Sequence, residues 1–294
     1  MRTNEEKQLV TQALDALASA LERGESEQLK AYLATLARFH RYSVGNVLLI
    51  GLQRPDATRV AGVRAWNRLG RHVRQGEKGI RIMAPIVWRK RKDDKPDGGE
   101  GDDAEELVRF RSVCVFDVAQ TEGQALPEFS QARGDPGEFT GRLVEFATEQ
   151  GIEVEFSDAL GSAHGLSSGG RILVRKGLSP AEEFSVLAHE LAHELLHKAE
   201  EAEPSSRTVR ETEAEAVAFV VCQAIGLEAT NAAADYILLY QGSKETLLES
   251  LQRIRQAAVE IIGAITAKDG AETRGRGREW ESADAGEVQV ARAA

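Results

Sequence analysis

The sequence of 294 residues predicts an α+β protein made of two units, an N-terminal α+β unit and a mostly helical C-terminal unit with a small sheet. Three observations predict this division. Helical spacing of apolar residues dominates both ends of the chain, short β-type segments lie between them, and basic residues concentrate in the N-terminal part. We expect the first unit at residues 1–126, a linker at 127–138, the second unit at 139–268 and a disordered tail at 269–294.

The first unit is predicted to begin with helices and to continue into strands. Leucines recur at helical spacing over residues 4–37, and the sequence Gly-Glu-Ser at 24–26 divides that run into two helices. Two later β segments flank residues 93–106, whose Asp, Glu, Gly and Pro content is typical of a solvated hairpin loop. The remaining predicted elements are helices at 43–50 and 62–69 and strands at 80–88 and 108–118.

The second unit is predicted to combine five helices with two short strands. One helix has a complete start signal, because Ser179, Pro180 and Glu182 supply an N-cap, a proline at the first helical position and a capping-box acid. Glycine-rich residues 161–170 separate the two strands. The predicted elements are helices at 139–150, 180–198, 210–225, 232–240 and 244–267 and strands at 152–156 and 171–175.

Charge is distributed unevenly along the chain. The formal net charge is −10, which by itself argues against a nucleic-acid partner. Residues 38–92, however, contain fourteen Lys or Arg and only two acids, a net charge of +12. A basic N-terminal part joined to an acidic remainder indicates separate partners for the two parts.

Composition excludes several classes of protein. Hydrophobic residues make up 42% of the chain, but no run of 18 apolar residues exists that could span a membrane. The first residues lack a signal-peptide core. Two cysteines, Cys114 and Cys222, lie in apolar runs and form no Cys-x-x-Cys pair. We therefore expect a cytoplasmic protein with buried thiols and no membrane partner.

Residues 189–193 read His-Glu-Leu-Ala-His and predict a metal site. Positions four residues apart share one face of a helix, so His189 and His193 can hold one ion together. Glu190 lies beside that site and is the expected general base for a hydrolytic reaction. The chemistry favours Zn²⁺ as cofactor and peptide hydrolysis as the reaction.

A catalytic zinc site needs a third protein ligand, and the next helix offers candidates. Glu211 and Glu215 are four residues apart and share a face. Their spacing resembles the Glu-x-x-x-Asp/Glu arrangement of gluzincin metallopeptidases and implies a zincin-like fold for the second unit. It implies Glu211 as third ligand and Glu215 as the carboxylate that orients a histidine ligand. Glu213, which faces elsewhere on the helix, is the alternative ligand.

Two further histidines have open roles. His197 continues the face of the two ligands, but three ligands along one straight helix cannot converge on one ion. We expect His197 to meet the carbonyl groups at the end of its helix. His164 precedes the site in a loop; it could donate to a developing oxyanion, although a solvated loop histidine is the simpler interpretation.

Longer motifs resemble two known families. Residues 180–225 are similar to the ImmA/IrrE type of metallopeptidase, with a capped His-Glu-Leu-Ala-His helix ending in Leu-His, then Glu-x-Glu-Ala-x before an apolar helix. The ArdC antirestriction family pairs a single-stranded-DNA-binding domain with an H-E-x-x-H domain, and this resemblance covers roughly residues 5–265. One departure is the Glu-x-Glu-Ala-Glu helix, which is closer to the ImmA/IrrE type. The N-terminal motifs that resemble ArdC lie at residues 39–46, 53–58, 62 with 66, 76–80, 115–118 and 120–121.

The resemblance implies single-stranded DNA as a partner, and the residues agree with it. Single strands bind to a positive groove lined by aromatic faces, and the basic stretch interleaves aromatic residues with arginines. Phe39 and Trp66 can equally belong to a core, and Asn46 and Gln53 can equally cap turns. Lys78 lies in a glycine turn suited to a phosphate. The candidate DNA-binding residues are Arg38, His40, Arg41, Tyr42, Asn46, Gln53, Trp66, Arg71, Arg74 and Lys78.

These observations predict a single-stranded-DNA-binding protein with a zinc-dependent metallopeptidase unit and an antirestriction or mobile-element role. Two alternatives stay open at this point. The first is a DNA-binding or DNA-mimicking antirestriction protein in which zinc is structural. The second is a regulator that cleaves one repressor protein.

Overall fold

The computed structural model describes residues 2–88, 107–124, 134–161, 163–197, 207–227 and 243–267. The predicted loop at 93–106, the helix at 232–240, the tail at 269–294, most of the linker and four basic residues at 89–92 lie outside the described residues. The described part is α+β, which confirms the predicted fold class.

Eight α-helices contain more than half of the described residues. Three features predicted for the N-terminal helices are present. Gly24, with a φ of +79°, separates the first two helices, and Ser43 caps the third. The leucines of the second helix are buried. The helices are α1 (Arg2–Glu22), α2 (Glu27–Phe39), α3 (Val44–Gln53), α4 (Val63–Arg68), α5 (Phe139–Glu149), α6 (Pro180–His197), α7 (Arg207–Ala224) and α8 (Lys244–Thr266).

The described strands form three small sheets, and four of the strands are too short to show a sequence pattern. The sheets have the orders β1-β4-β3, β2-β5 and β6-β8-β7; β6 and β8 are parallel, and every other pair is antiparallel. The strands are β1 (Val60–Ala61), β2 (Arg71–Val73), β3 (Ile80–Trp88), β4 (Leu107–Asp117), β5 (Thr121–Gly123), β6 (Glu153–Ser157), β7 (Gly165–Ser167) and β8 (Arg171–Arg175).

The two parts of the chain pack against each other. Helix α2 lies on α7, and α1 and α3 contact α8. Buried apolar side chains of α2, α7 and α8 accordingly belong to one continuous hydrophobic cluster. Trp66 lies outside it, in a small cluster with Ala61 and Ala65. Among the helices that the structure describes, none has the length and apolarity needed to cross a membrane.

Candidate metal centre and basic unit

Helix α6 presents two histidines to one point in space. The predicted capping box starts the helix: Glu182 accepts from the backbone N–H of Ser179 at 2.9 Å, and the N–H of Glu182 donates to Ser179 Oγ at 3.4 Å. One turn apart near the middle of this helix, His189 and His193 bring their Nε2 atoms to 3.1 Å from each other. Their rings meet edge to face, with centroids 4.7 Å apart.

Helix α7 adds a carboxylate to this pair. Glu211 Oε2 lies 3.6 Å from His189 Nε2 and 3.5 Å from His193 Nε2. These three side chains are the group of possible metal ligands found among the described residues, with ligand atoms all within 4.8 Å of one another. Tetrahedral ligands at about 2.0–2.2 Å from a divalent ion lie about 3.4 Å apart, so the three separations fit such an ion.

Glu215 lies one turn farther along α7 and faces the other nitrogen of the same ring. Its Oε2 is 3.4 Å from His189 Nδ1. A carboxylate at Nδ1 fixes the tautomer and leaves Nε2 to serve as ligand. The predicted ligands and their orienting carboxylate are therefore together in one place, and their roles toward a metal stay predictions.

The two histidines have opposite pKa shifts. Burial lowers the pKa of His189, but the hydrogen bond that the ring donates to Glu215 and the charges of Glu190, Glu215 and Glu211 outweigh burial, and the net shift is upward. Burial and the neighbouring His189 lower the pKa of His193 to about 4. His193 is thus neutral at neutral pH, and His189 is the ring of the pair that is protonated first as the pH falls.

Glu190 is buried beside the histidines. Its side chain has a raised pKa, because burial disfavours its charge more strongly than His189 and Ser167 favour it. Strand β7 passes so close that a Cβ added at Gly165 would lie 2.5 Å from Glu190 Oε1. A cavity of about 230 Å³ opens here, lined by His164, Gly165, Ser185, Val186, His189, Glu190 and Glu215. His164 therefore belongs to the wall of the candidate site.

The alternative ligand Glu213 lies apart from the three converging atoms. Its side chain is fully buried, and Oε1 accepts from Arg253 Nη2 at 2.6 Å and from Arg253 Nε at 3.2 Å. His197 Nε2 is 3.8 Å from Glu213 Oε2, so His197 faces this carboxylate. These contacts favour Glu211 over Glu213 as third ligand.

Sequence reasoning missed a second buried acid on α6. Glu194 Oε2 accepts from the N–H of Gly170 at 2.7 Å, and this bond ties the turn between β7 and β8 to the helix that bears the histidines. The signal available in the sequence was the position of Glu194 directly after the predicted ligand His193. The fold adds that Glu194 is buried and that it binds Gly170.

The basic unit uses several predicted DNA-binding side chains for its own fold. The amide of Asn46 donates to the carbonyl of Met83 at 2.8 Å and accepts from the N–H of Met83 at 2.9 Å. Gln53 makes the same two-way pair with Arg81, at 2.8 and 2.9 Å. Both amides bind strand β3, which gives them a role in the fold, and their contact with DNA stays a prediction.

The aromatic predictions change as well. Trp66 is only 2% exposed, and its indole N–H donates to the carbonyl of Phe116 at 2.9 Å. Phe39 is also buried, so both residues belong to the core and neither offers a face for base stacking. Tyr42 is half-buried against the core and contacts Phe39 edge to face. His40 is half-buried, 3.3 Å from the carbonyl of Ala37.

Three predicted arginines hold loops. Arg38 donates to two carbonyl oxygens of the segment 55–57, over 3.0 and 2.5 Å. Arg71 and Arg74 bind in the same way to carbonyl oxygens within residues 119–124. Arg41, Arg64, Arg68 and Lys78 are further exposed basic side chains of this unit.

Known proteins resemble both parts of the chain. Residues 5–116 match the family model of the N-terminal domain of anti-restriction factor ArdC, and residues 147–249 match the IrrE N-terminal-like domain of the M78 peptidases. Both ranges fall inside the units expected at 1–126 and 139–268. An uncharacterized protein of Bacillus anthracis is 26% identical over 79% of this chain, and the chain spans about half, 47%, of that relative.

Two solved structures share the fold. They are the antirestriction protein ArdC from plasmid R388 without metal and with Mn(II) bound. The metal-free structure has a TM-score of 0.53 and 17% identity, and the match covers 87% of this chain and 97% of the ArdC chain. The Mn(II)-bound structure has a TM-score of 0.54 and 18% identity, covering 88% and 98%.

Proposed function

From a chain that joins an ArdC-type N-terminal part to an M78 peptidase-like part, we propose a protein that binds single-stranded DNA and hydrolyses peptide bonds at a Zn²⁺ centre. The proposed ligands are His189, His193 and Glu211, and Glu190 is the proposed general base. The observation that carries the proposal is the convergence of two imidazole nitrogens and one carboxylate oxygen beside a buried glutamate.

The donor set supports a divalent metal. Two imidazoles with one carboxylate are typical ligands of catalytic zinc, and the site leaves a side open toward the 230 Å³ cavity. The ArdC structure with Mn(II) supports a divalent ion more generally, because histidine and carboxylate ligands accept several such ions. We propose Zn²⁺ for this chain on the nature of the ligands.

The side chains around the cavity suit peptide hydrolysis. A bound ion would supply Lewis acidity at the scissile carbonyl. Glu190 takes a proton from the attacking water and delivers it to the departing amine, and its raised pKa suits a group that must both accept and give a proton. Glu215 holds the His189 ring in one tautomer. His164, on the cavity wall, is placed to donate to the oxyanion that develops on the substrate.

The small sheet offers a place for the peptide. β7 is the edge strand of the β6-β8-β7 sheet and passes directly over Glu190. An extended peptide can pair with a free strand edge through its main chain. We therefore propose that the substrate is an extended protein segment lying along β7, with its scissile bond over Glu190.

DNA binding is proposed for the N-terminal part. Its support is the ArdC-type match together with the local excess of basic residues within 38–92. Arg41 and Lys78 of the predicted set are exposed, and Arg64 and Arg68 of α4 add two exposed charges. Binding of the N-terminal part to single-stranded DNA would support an antirestriction role like that of the ArdC family.

Replacing Glu190 by Gln tests the enzyme. Glutamine keeps the size of the side chain but cannot take the proton, so Zn²⁺ binding should persist while hydrolysis of an unfolded protein such as casein falls by about 100-fold or more. Zn²⁺ content by elemental analysis and cleavage by gel, each with and without an oligothymidylate, are the measurements.

The same variant separates the enzyme from its alternatives. If Glu190→Gln retains full antirestriction activity in cells and still binds metal, the protein acts without catalysis and the metal is structural. If wild-type protein binds no divalent ion, the metal centre itself is wrong.

A further inference from the structure

Glu213, which lies between Glu211 and Glu215 on α7, differs from both of them in its surroundings. Glu213 is fully buried, whereas Glu211 is half exposed at the site. Two residues along an α-helix turn the side chain by about 200°, so Glu213 lies on a different face from the ligand. A fully buried carboxylate is costly unless another group compensates its charge.

Arg253 of α8 provides that compensation. Its Nη2 and Nε both donate to Glu213 Oε1, at 2.6 and 3.2 Å, and Nη2 also reaches Ser250 at 3.4 Å. The arginine is about one third exposed, so the charge pair is buried at its acidic end and hydrated at its basic end. Helices α7 and α8 are thereby joined at one defined point.

The second oxygen of Glu213 faces the metal-bearing helix. Glu213 Oε2 lies 3.8 Å from His197 Nε2, and the His197 ring packs at a tilt on His193, with centroids 5.5 Å apart. Contacts therefore run from Arg253 through Glu213 and His197 to a predicted ligand. Glu213 itself belongs to α7, the helix that carries Glu211. Its approach to His197 therefore links α7 with α6, the two helices that supply the predicted ligands.

We infer that Glu213 and Arg253 are positioning residues that set the spacing of α6 and α7 around the metal centre. The inference rests on the metal site proposed above. Anchored to α8, Glu213 holds His197 against His193 and fixes the rotation of α7, so that Glu211 Oε2 meets both imidazoles. Neither residue touches the ion.

Co²⁺ alone is the probe that tests this role, because its visible absorption reports the geometry of its ligands. Replacing Glu213 by Gln should weaken Co²⁺ binding roughly tenfold, the lower end of the effect of outer partners of metal ligands, and should change the spectrum. Arg253→Lys, which keeps the charge, should restore most of the affinity that Arg253→Met loses.

A double variant separates positioning from stability. Glu213→Gln with Arg253→Met removes both charges, so its melting temperature should recover relative to the single variants, whereas Co²⁺ affinity should stay weak. Arg142→Met is the matched control, since Arg142 binds the carbonyls of Ile265 and Ala267 at the other end of α8. It should lower the melting temperature and leave the Co²⁺ affinity and spectrum unchanged.

The outcomes are distinct. If Glu213→Gln has the wild-type Co²⁺ affinity and spectrum while its melting temperature falls, the pair is purely structural and the inference is wrong. If wild-type protein binds no Co²⁺, the proposed metal centre fails and the positioning role fails with it. Weak binding by the single and double variants, with an unchanged Arg142→Met control, supports the inference.

Discussion

The two halves of the molecule use their charged side chains in opposite ways. At the junction of α6 and α7, His189, His193 and Glu211 direct their polar atoms toward one point, with the two Nε2 atoms 3.1 Å apart and Glu211 Oε2 within 3.6 Å of both. In the basic unit, Arg38 and Arg71 donate their N–H groups to backbone carbonyls, and each finds a complementary acceptor.

The difference distinguishes side chains that can bind a ligand from side chains that support the fold. Polar groups that complete one another's hydrogen bonds stabilise a fold and have little left for a ligand. Imidazole nitrogens and a carboxylate oxygen that converge on one point are typical of a metal-ligand set. Variants in the two regions should therefore fail differently: the first should lose a ligand and keep the fold, and the second should weaken the fold.

His193→Ala should give the largest effect. Its Nε2 lies within 3.5 Å of both other predicted ligand atoms, so its loss leaves two donors for the ion. Zn²⁺ affinity should fall by about 100-fold or more, since even an outer partner of a ligand is worth 10–100-fold. Calorimetric titration with Zn²⁺ measures it, with circular dichroism to check the fold. An affinity within a few-fold of wild type would show that the ion binds elsewhere.

Metal affinity should also depend on pH, because one proton on His189 must leave before the ring can bind the ion. His189 has a raised pKa and must lose its proton to bind, whereas the His193 pKa of about 4 keeps that ring neutral. Affinity should be constant above the pKa of His189 and should fall about tenfold per pH unit below it, until His193 also protonates near pH 4. Glu215→Ala should shift the onset to lower pH. A slope of two protons near neutral pH would contradict this assignment.

The convergence of the candidate ligands was predictable because its geometry is local. A capped helix places residues four apart on one face, so the H-E-x-x-H spacing already implies the approach of His189 to His193. The choice of Glu211 rested on the resemblance of the Glu-x-x-x-Glu spacing to gluzincins, and its role as a ligand stays a prediction. The role of Glu213 was not visible, because its partner Arg253 lies 40 residues away on another helix.

The basic unit was less predictable because its contacts are distant in sequence. Asn46 binds Met83 and Trp66 binds Phe116, pairs separated by 37 and 50 residues. A side chain committed to such a partner looks the same in sequence as one exposed to DNA. Strand β7 was missed for a similar reason: it is three residues long, lies in a glycine-rich segment and forms by pairing with β8.

Gly165→Ala tests how tightly β7 covers the site. The added Cβ would lie 2.5 Å from Glu190 Oε1 and 2.7 Å from Val186 Cγ1, so the strand or the glutamate must move. Unfolding free energy should fall by about 1–3 kcal/mol, and peptide cleavage should fall while Zn²⁺ affinity is retained. Denaturant unfolding and the casein assay measure these effects.

Gly263→Ala is the matched control for that change. Gly263 lies in α8 with no atom within 4 Å of an added Cβ, so alanine there should stabilise the protein by about 0.5–1 kcal/mol. A Gly165→Ala variant as stable and active as wild type would mean that β7 does not hold Glu190.

The smallest expected effect is on DNA binding. Arg41 and Lys78 are two exposed members of the predicted set, and each phosphate contact contributes about 0.7 to the slope of log affinity against log salt for a single strand. Arg41→Ala with Lys78→Ala should therefore lower that slope by about 1.4 for an oligothymidylate, with unchanged unfolding. Arg171→Ala with Lys176→Ala removes the same charge from exposed positions of the second unit and should leave the slope unchanged. Equal losses in the two double variants would show that DNA responds to net charge alone, and the basic unit would then have no defined DNA-binding face.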